Sequence, residues 1–222
     1  MGCAQVHQCH LPVPRSTDIQ AKGPLIRIMM DLQCLKPQPT YLGELYCLLI
    51  VDDYTRYSWC YLLRVKGEAV GWVRQWWMEV VKSNNRAVRY VRGDLGGEWD
   101  GMDMADLMIE VGATVEGTRT AAPKYNGVAE RCLAILDQGG RAHLYSAGLG
   151  ANLWLLGEAM LFSNYIMNRS SAKSNKEKLP HLRLLGIVGF LVRVPAFGTP
   201  GYSRVDANHK LGPPGKPCIS WG

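Results

Sequence analysis

Three carboxylates stand where a folded chain could gather them for chemistry. Asp31 follows the apolar run that begins at Leu25, Asp94 comes just after the run Ala87 to Val91, and Glu130 lies shortly after the Asn126-Gly127 pair. Taken singly each is ordinary. An Asp after a strand is commonly a turn residue, and a Glu in the first turn of a helix faces the positive end of the helix dipole. Together they pose an electrostatic problem, because carboxylates packed side by side repel and raise one another's pKa. Bound cations relieve that repulsion, and hard oxygen ligands suit Mg²⁺ or Mn²⁺ while thiols do not. Two such ions about 3.5–4 Å apart stabilise both the attacking and the leaving oxygen of an in-line displacement at phosphorus. Metal-dependent phosphodiester chemistry is therefore what this trio would do.

The elements that must position them are legible in outline. Leu25 to Leu32 is a short apolar run, a strand candidate ending at Asp31, with Pro37 and Pro39 breaking the chain after it. Leu45 to Asp53 is almost continuously apolar, as in a strand covered on both faces. Tyr57 to Val65 reads as a third strand, joined to the second by a link short enough for a hairpin. Glu68 to Lys82 changes to helical spacing, with Val70, Val73, Trp77, Val80 and Val81 on one face. Ala87 to Val91 and Ala113 to Val115 read as strands, and Asp103 to Val111 as a short helix. A helix is expected from Asn126 to about Leu136, with Gly139-Gly140 interrupting it, and another from Leu153 to Asn168. Trp59, Trp72, Trp76 and Trp77 are read as packing groups rather than base-stacking ones. The order predicts an α/β fold with a mixed central sheet of about five strands flanked by helices. In such a sheet neighbouring parallel strand ends converge on one edge, where the helix after Asn126 could lay its first turn.

Composition bounds the function classes. The chain has 222 residues, 47% hydrophobic and 20% charged, which excludes a wholly disordered chain. The net charge of +6 and pI near 9.0 are compatible with a polyanionic partner without requiring one. No run reaches the roughly 18 uninterrupted apolar residues of a membrane span, and no secretory signal opens the chain, so no membrane role is expected. Seven scattered Cys argue against a disulfide framework. Residues 1–20 read as an irregular arm, 21–187 as the core and 188–222 as a loop-rich tail. Cys3, His7, Cys9 and His10 have spacings that suit structural zinc poorly, and zinc is not expected there.

The spacing and the words around the acids resemble a known family. Between Asp94 and Glu130 lie 35 residues, and Asp31, Asp94 and Glu130 are similar to the acidic triad of retroviral and retrotransposon integrases, the copia-type branch above all. PLIRIMMDL (24–32), YCLLIVDDYTRYSWCYLL (46–63), VRGDLGGEW (91–99) and APKYNGVAER (122–131) carry the likeness, with LWLLGEAM and NYIMNRS (153–170) and HLRLLG (181–186) beyond them. The resemblance implies an RNase H-like fold, a fragment of a Pol polyprotein, and a polynucleotidyl transferase that trims and joins DNA ends with Mg²⁺ or Mn²⁺. It implies Asp31, Asp94 and Glu130 as catalytic metal ligands, and Tyr125, Asn126 and Arg131 as nucleic-acid-binding residues, Asn126 and Gly127 also shaping the turn that delivers Glu130. DNA and further copies of the chain are the implied partners, and the substrate implies a nuclear site, with a cytoplasmic particle as the other location. Asp52 and Asp53 match paired acids outside the family triad and are read as structural.

The chain departs from the family at functional places. Leu95 replaces an Asn beside the second acid, Cys34-Leu35 replaces a Gly-Pro, and Cys132 and Ala134 stand where two phosphate-contacting bases are usual. The zinc module that precedes the family's core would have at most Cys3 left. Two readings stay open beside an ordinary α/β protein with surface acids: a working integrase core, and a catalytically impaired transposon-derived remnant that folds and binds nucleic acid weakly.

Overall fold

The computed structural model describes residues 20–82, 86–93, 102–116, 126–171, 178–188, 194–204 and 215–219. Five strands, β1 (Arg27–Cys34), β2 (Tyr46–Asp52), β3 (Ser58–Leu63), β4 (Tyr90–Gly93) and β5 (Thr114–Val115), form one sheet in the order β3-β2-β1-β4-β5. The first three are antiparallel, while β4 and β5 run parallel to β1. This is the mixed sheet the sequence predicts.

Alternation along the strands separates two apolar layers, because successive side chains point to opposite faces. Ile28, Met30, Leu48 and Ile50 meet α1 (Ala69–Trp76) and α2 (Met102–Val111) on one face. Met29, Cys47, Leu49 and Val51 meet α3 (Gly127–Ser146) and α4 (Leu156–Asn168) on the other. The run in β2 is apolar at nearly every position because both of its faces are covered.

Two helices differ from expectation. The stretch read as one helix over Glu68 to Lys82 is a 3₁₀ turn, then α1, then a π-helical segment over Trp77–Lys82. Adjacent Trp76 and Trp77 are both buried, and the wider turn carries Val81 into the same core. The Trp residues pack as read: Trp59 meets Trp76 edge to face, and Trp72 stacks on Tyr61. The second difference is α3, which continues through Gly139-Gly140 to Ser146 instead of ending near Leu136. A Cβ on Gly140 would lie 3.2 Å from the backbone nitrogen of Met160, and one on Gly139 2.5 Å from Ser163 Oγ. The glycines let α4 approach closely, and that packing outweighs their poor helix propensity.

At the far end of α4, Asn168 is buried and grips β3, its Oδ1 accepting from Ser58 N at 2.9 Å and its Nδ2 donating to Ser58 O at 2.8 Å. Beyond the core, α5 (Pro180–Leu185) ends at left-handed Gly186. The tail read as loop-rich contains an antiparallel pair, β6 (Pro200–Arg204) with β7 (Gly215–Ile219). No helix among the described residues is long and apolar enough to cross a membrane.

Candidate active site

The site begins with the register of β1, which does not end at Asp31 as the sequence suggests but runs on to Cys34, because β2 keeps pairing with it as far as Tyr46. Asp31 pairs with Leu49 on its antiparallel side, while the parallel ladder with β4 runs from Arg27↔Tyr90 to Met30↔Gly93. Strand alternation places Asp31 on the same face as Met29, the face that α3 covers. Its carboxylate is half-buried, and Oδ1 accepts from the Leu32 amide at 2.9 Å. Gly93 is the last residue of β4, and Asp94 follows it in the sequence but lies outside the described residues.

Asn126 brings α3 to this edge. It is 5% exposed, and its Nδ2 donates to the carbonyl of Met30, one residue before Asp31, at 3.1 Å. Its side chain makes no cap bond to its own helix, so the amide is committed to β1. Its Oδ1 is buried without a hydrogen-bond partner among the described residues. Gly127 opens the helix, Ala129, Cys132 and Leu133 turn inward, and Glu130 and Arg131 are exposed on the first turn and just beyond. The structure thus brings Asp31 and the helix turn carrying Glu130 to one sheet edge. Tyr125, like Asp94, lies outside the described residues, as do Cys3, His7, Cys9 and His10. Among the described residues no group of three or more His, Cys, Asp and Glu is placed to hold a metal ion.

Asp52 and Asp53 are engaged elsewhere. Asp52 accepts from Leu25 N at 2.8 Å, Thr55 N at 2.9 Å and Thr55 Oγ1 at 2.6 Å. Asp53 pairs with Arg27 at 3.4 Å and Arg56 at 3.1 Å. Both are structural, as read. Cys132, at a position where the family usually carries a base, is turned into the core with its Sγ 4.0 Å from Met167 Sδ, and burial pushes its thiol up to about 12. Ala134 is exposed.

One cluster on the same face is invisible to sequence reading. Glu116, directly after the edge strand β5, accepts from Arg92 Nη2 at 2.9 Å and from Arg27 Nη2 at 3.1 Å. Its partners are 24 and 89 positions away, so no local spacing could have revealed the cluster.

Comparison with known proteins gives this geometry a context. No protein-family model matches the chain. The retrovirus-related Pol polyprotein from transposon TNT 1-94 of Nicotiana tabacum is 26% identical over 182 residues, covering 81% of this chain. The chain spans 14% of the length of that polyprotein. Among solved structures, a chain of the simian T-cell lymphotropic virus intasome in complex with PP2A regulatory subunit B56 gamma has a TM-score of 0.60 at 13% identity, covering 89% of this chain and 69% of that one. The HTLV-2 integrase catalytic core domain in complex with magnesium matches in its trimeric form with a TM-score of 0.56 at 12% identity, covering 74% of this chain and 99% of that one. Its dimeric form matches with a TM-score of 0.53 at 12% identity, covering 73% and 97%. Sequence relative and solved structures agree: this chain resembles an integrase-like fragment of a retrotransposon Pol polyprotein, and its fold is the RNase H-like fold of integrase catalytic cores.

Proposed function

We propose that the chain is the catalytic core of a polynucleotidyl transferase that acts in the DNA integration of a retrotransposon. One observation carries the reading: the Asn126 Nδ2 to Met30 O bond, which docks the first turn of α3 on the middle of β1, beside Asp31. Glu130 and Asp31 thereby share one edge, and Asp94 follows Gly93, the strand partner of Met30. The donor chemistry fits Mg²⁺ or Mn²⁺, since the acids brought to this edge offer hard carboxylate oxygens and the nearby Cys132 thiol is turned away and held protonated. Asp31, Asp94 and Glu130 would hold two such ions, which when bound supply charge stabilisation for both oxygens exchanged at phosphorus.

The chain's own residues do the positioning. Asn126 fixes the approach of α3 to β1. Glu130 projects from the helix start toward solvent, where a DNA backbone can reach it, and Arg131 beside it is exposed for a phosphate. Tyr125 adds a proposed DNA contact in sequence, whereas the buried Asn126, its amide given to Met30 O, serves the approach of α3 and not the DNA. The solved neighbours' names, an intasome and dimeric and trimeric cores, support DNA and further copies of the chain as partners. A DNA substrate places the working protein in the nucleus.

The test is a disintegration or strand-transfer assay on branched DNA with Mn²⁺ or Mg²⁺, with Asp94→Asn as the control. Metal-dependent product well above that control supports the reading, and none above it sinks it. A second reading, the impaired remnant, is favoured by Cys132 and Ala134: one is buried and the other uncharged, so neither meets a phosphate. A salt titration separates the two. A log–log slope near zero means few phosphates are contacted, as the remnant requires.

A further inference from the structure

Glu116 holds together the two parallel strands that lead to the site. Its amide donates to Val91 O at 2.7 Å, extending the β5–β4 ladder by one step, so the residue sits on the sheet edge beside Arg92. From there its carboxylate crosses β4. Oε2 accepts from Arg92 Nη2 at 2.9 Å and Nε at 3.2 Å, while Arg27 on β1 reaches Oε1 through Nη2 at 3.1 Å and stands with Nε 3.0 Å from Oε2. One carboxylate therefore takes two hydrogen bonds from Arg92 and one from Arg27, so both guanidiniums are tied to a single charged acceptor. Arg92 is 8% exposed.

The arrangement lies on the face that matters. Met29 pairs with Arg92, and Arg27, Met29 and Asp31 alternate onto one side of β1. The β1–β4 ladder is only four residue pairs long, Arg27↔Tyr90 to Met30↔Gly93. A ladder that short has few hydrogen bonds to hold its register, and without Glu116 the Arg92 and Arg27 guanidiniums would lose the carboxylate they share across it. Asp31 follows Met30 and Asp94 follows Gly93 in the sequence, so both come one residue after the same, last pair of that ladder.

We infer that Glu116, with Arg92 and Arg27, is a positioning residue that holds β1 in register with β4 and so sets where Asp31 presents its carboxylate to divalent cations. The inference rests on the proposed metal-binding role of Asp31, Asp94 and Glu130. Arg27 lies about 13 Å along β1 from Asp31, while Arg92 pairs with Met29, about 7 Å short of it.

Charge and position can be told apart by sign. If the cluster acted on the site only through its field, Arg92→Gln would remove a positive charge and tighten cation binding. If it acts by alignment, Arg92→Gln weakens binding. Arg92→Lys keeps the charge and loses the fork, and Glu116→Asp keeps the charge but shortens the carboxylate so that it cannot span both guanidiniums.

The experiment is Mn²⁺ titration of the full chain, following the free-ion paramagnetic resonance signal, with thermal unfolding recorded alongside. Arg92→Gln, Arg92→Lys and Glu116→Asp should each bind Mn²⁺ about threefold to tenfold more weakly than the unaltered chain. Glu130→Gln is the control for the underlying reading and should lose most of the affinity. Affinities of the folded variants within twofold of the unaltered chain, or tighter binding by Arg92→Gln, overturn the inference while a deficient Glu130→Gln leaves the metal site standing. An unchanged Glu130→Gln removes the site and the inference with it. If both charge-preserving variants fail to fold, the cluster is a structural bolt and the inference is overturned.

Discussion

Removing the Asp52 carboxylate should cost the fold much of its stability while leaving cation binding intact. Asp52 is 0% exposed, and its two oxygens serve the amides of Leu25 and Thr55 and the Thr55 hydroxyl. Burial raises its pKa, and the hydrogen bonds oppose that shift without cancelling it. In Asp52→Ala both amides lose their acceptor inside the protein, while the hydroxyl can turn toward another. At about 1–3 kcal/mol for each buried unsatisfied donor, the two amides give a loss of about 2–6 kcal/mol. That is a large part of the 5–15 kcal/mol typical of a folded domain. Asp52→Asn keeps an oxygen for Leu25 but turns an NH₂ toward the Thr55 amide, so one orphan remains and the loss should be about half as large. Urea unfolding followed by circular dichroism measures both, with midpoint shifts at unchanged slope taken as stability. Two results would refute the reasoning. One is Asp52→Ala losing under about 1 kcal/mol, the scale of an ordinary surface change. The other is Asp52→Asn abolishing Mn²⁺ binding in folded protein, which would make this acid a ligand.

Glu158 on α4 has a buried Oε2 with no hydrogen-bond partner among the described residues, and burial, then the neighbouring Glu44 charge, push its pKa up. A carboxyl raised on folding favours the native state below its unfolded pKa and loses that advantage as pH rises through the folded one. Glu158→Gln should therefore be more stable than the unaltered chain at pH 7, with the gap closing below about pH 4, near the unfolded glutamate value. Thermal unfolding across that range checks it, and an equal or lower midpoint at pH 7 counts against the assignment. Gly140→Ala should lose about 1 kcal/mol despite a helix-propensity gain of similar size, because overpacking costs about 1–3 kcal/mol. Chemical denaturation of that variant is the check. Thiol labelling at pH 8, mapped by peptide mass, should modify exposed Cys34 and Cys218 well before Cys60 and Cys132. The Cys47 sulfur 2.9 Å from Cys60, with burial, holds the Cys60 thiol well above its usual pKa, and burial, with a smaller push from Cys47, does so for Cys132.

The strands were legible because their signal is local. The unbroken apolar stretch of LYCLLIVDD before its two acids reads as a strand covered on both faces, and β2 is. The two acids of that segment were readable as structural, and their hydrogen bonds and ion pairs bear this out. The helices were less legible, because packing across space decided them. Gly139-Gly140 reads as a break to a propensity argument, yet the pair is what α4 needs to come close. The π-helical turn answers to two adjacent Trp that both seek the core. Of the site, Asp31 and Glu130 could be named from spacing and resemblance, whereas the amide bond from Asn126 to Met30 joins residues 96 positions apart and the Glu116 fork joins three strands. Such partners are set by the sheet order, which no window along the chain contains.

Where Gly139 and Gly140 meet α4, α3 has no side chain of its own to act as a cushion. The two helices should consequently tilt together, like one plank, against the sheet. Glu130 rides about 14 Å from that seam along α3. At the opposite corner Asn168 nails the plank to Ser58. A nudge applied near β3 has little soft material in which to dissipate, so residues remote from the acids become levers on where Glu130 sits.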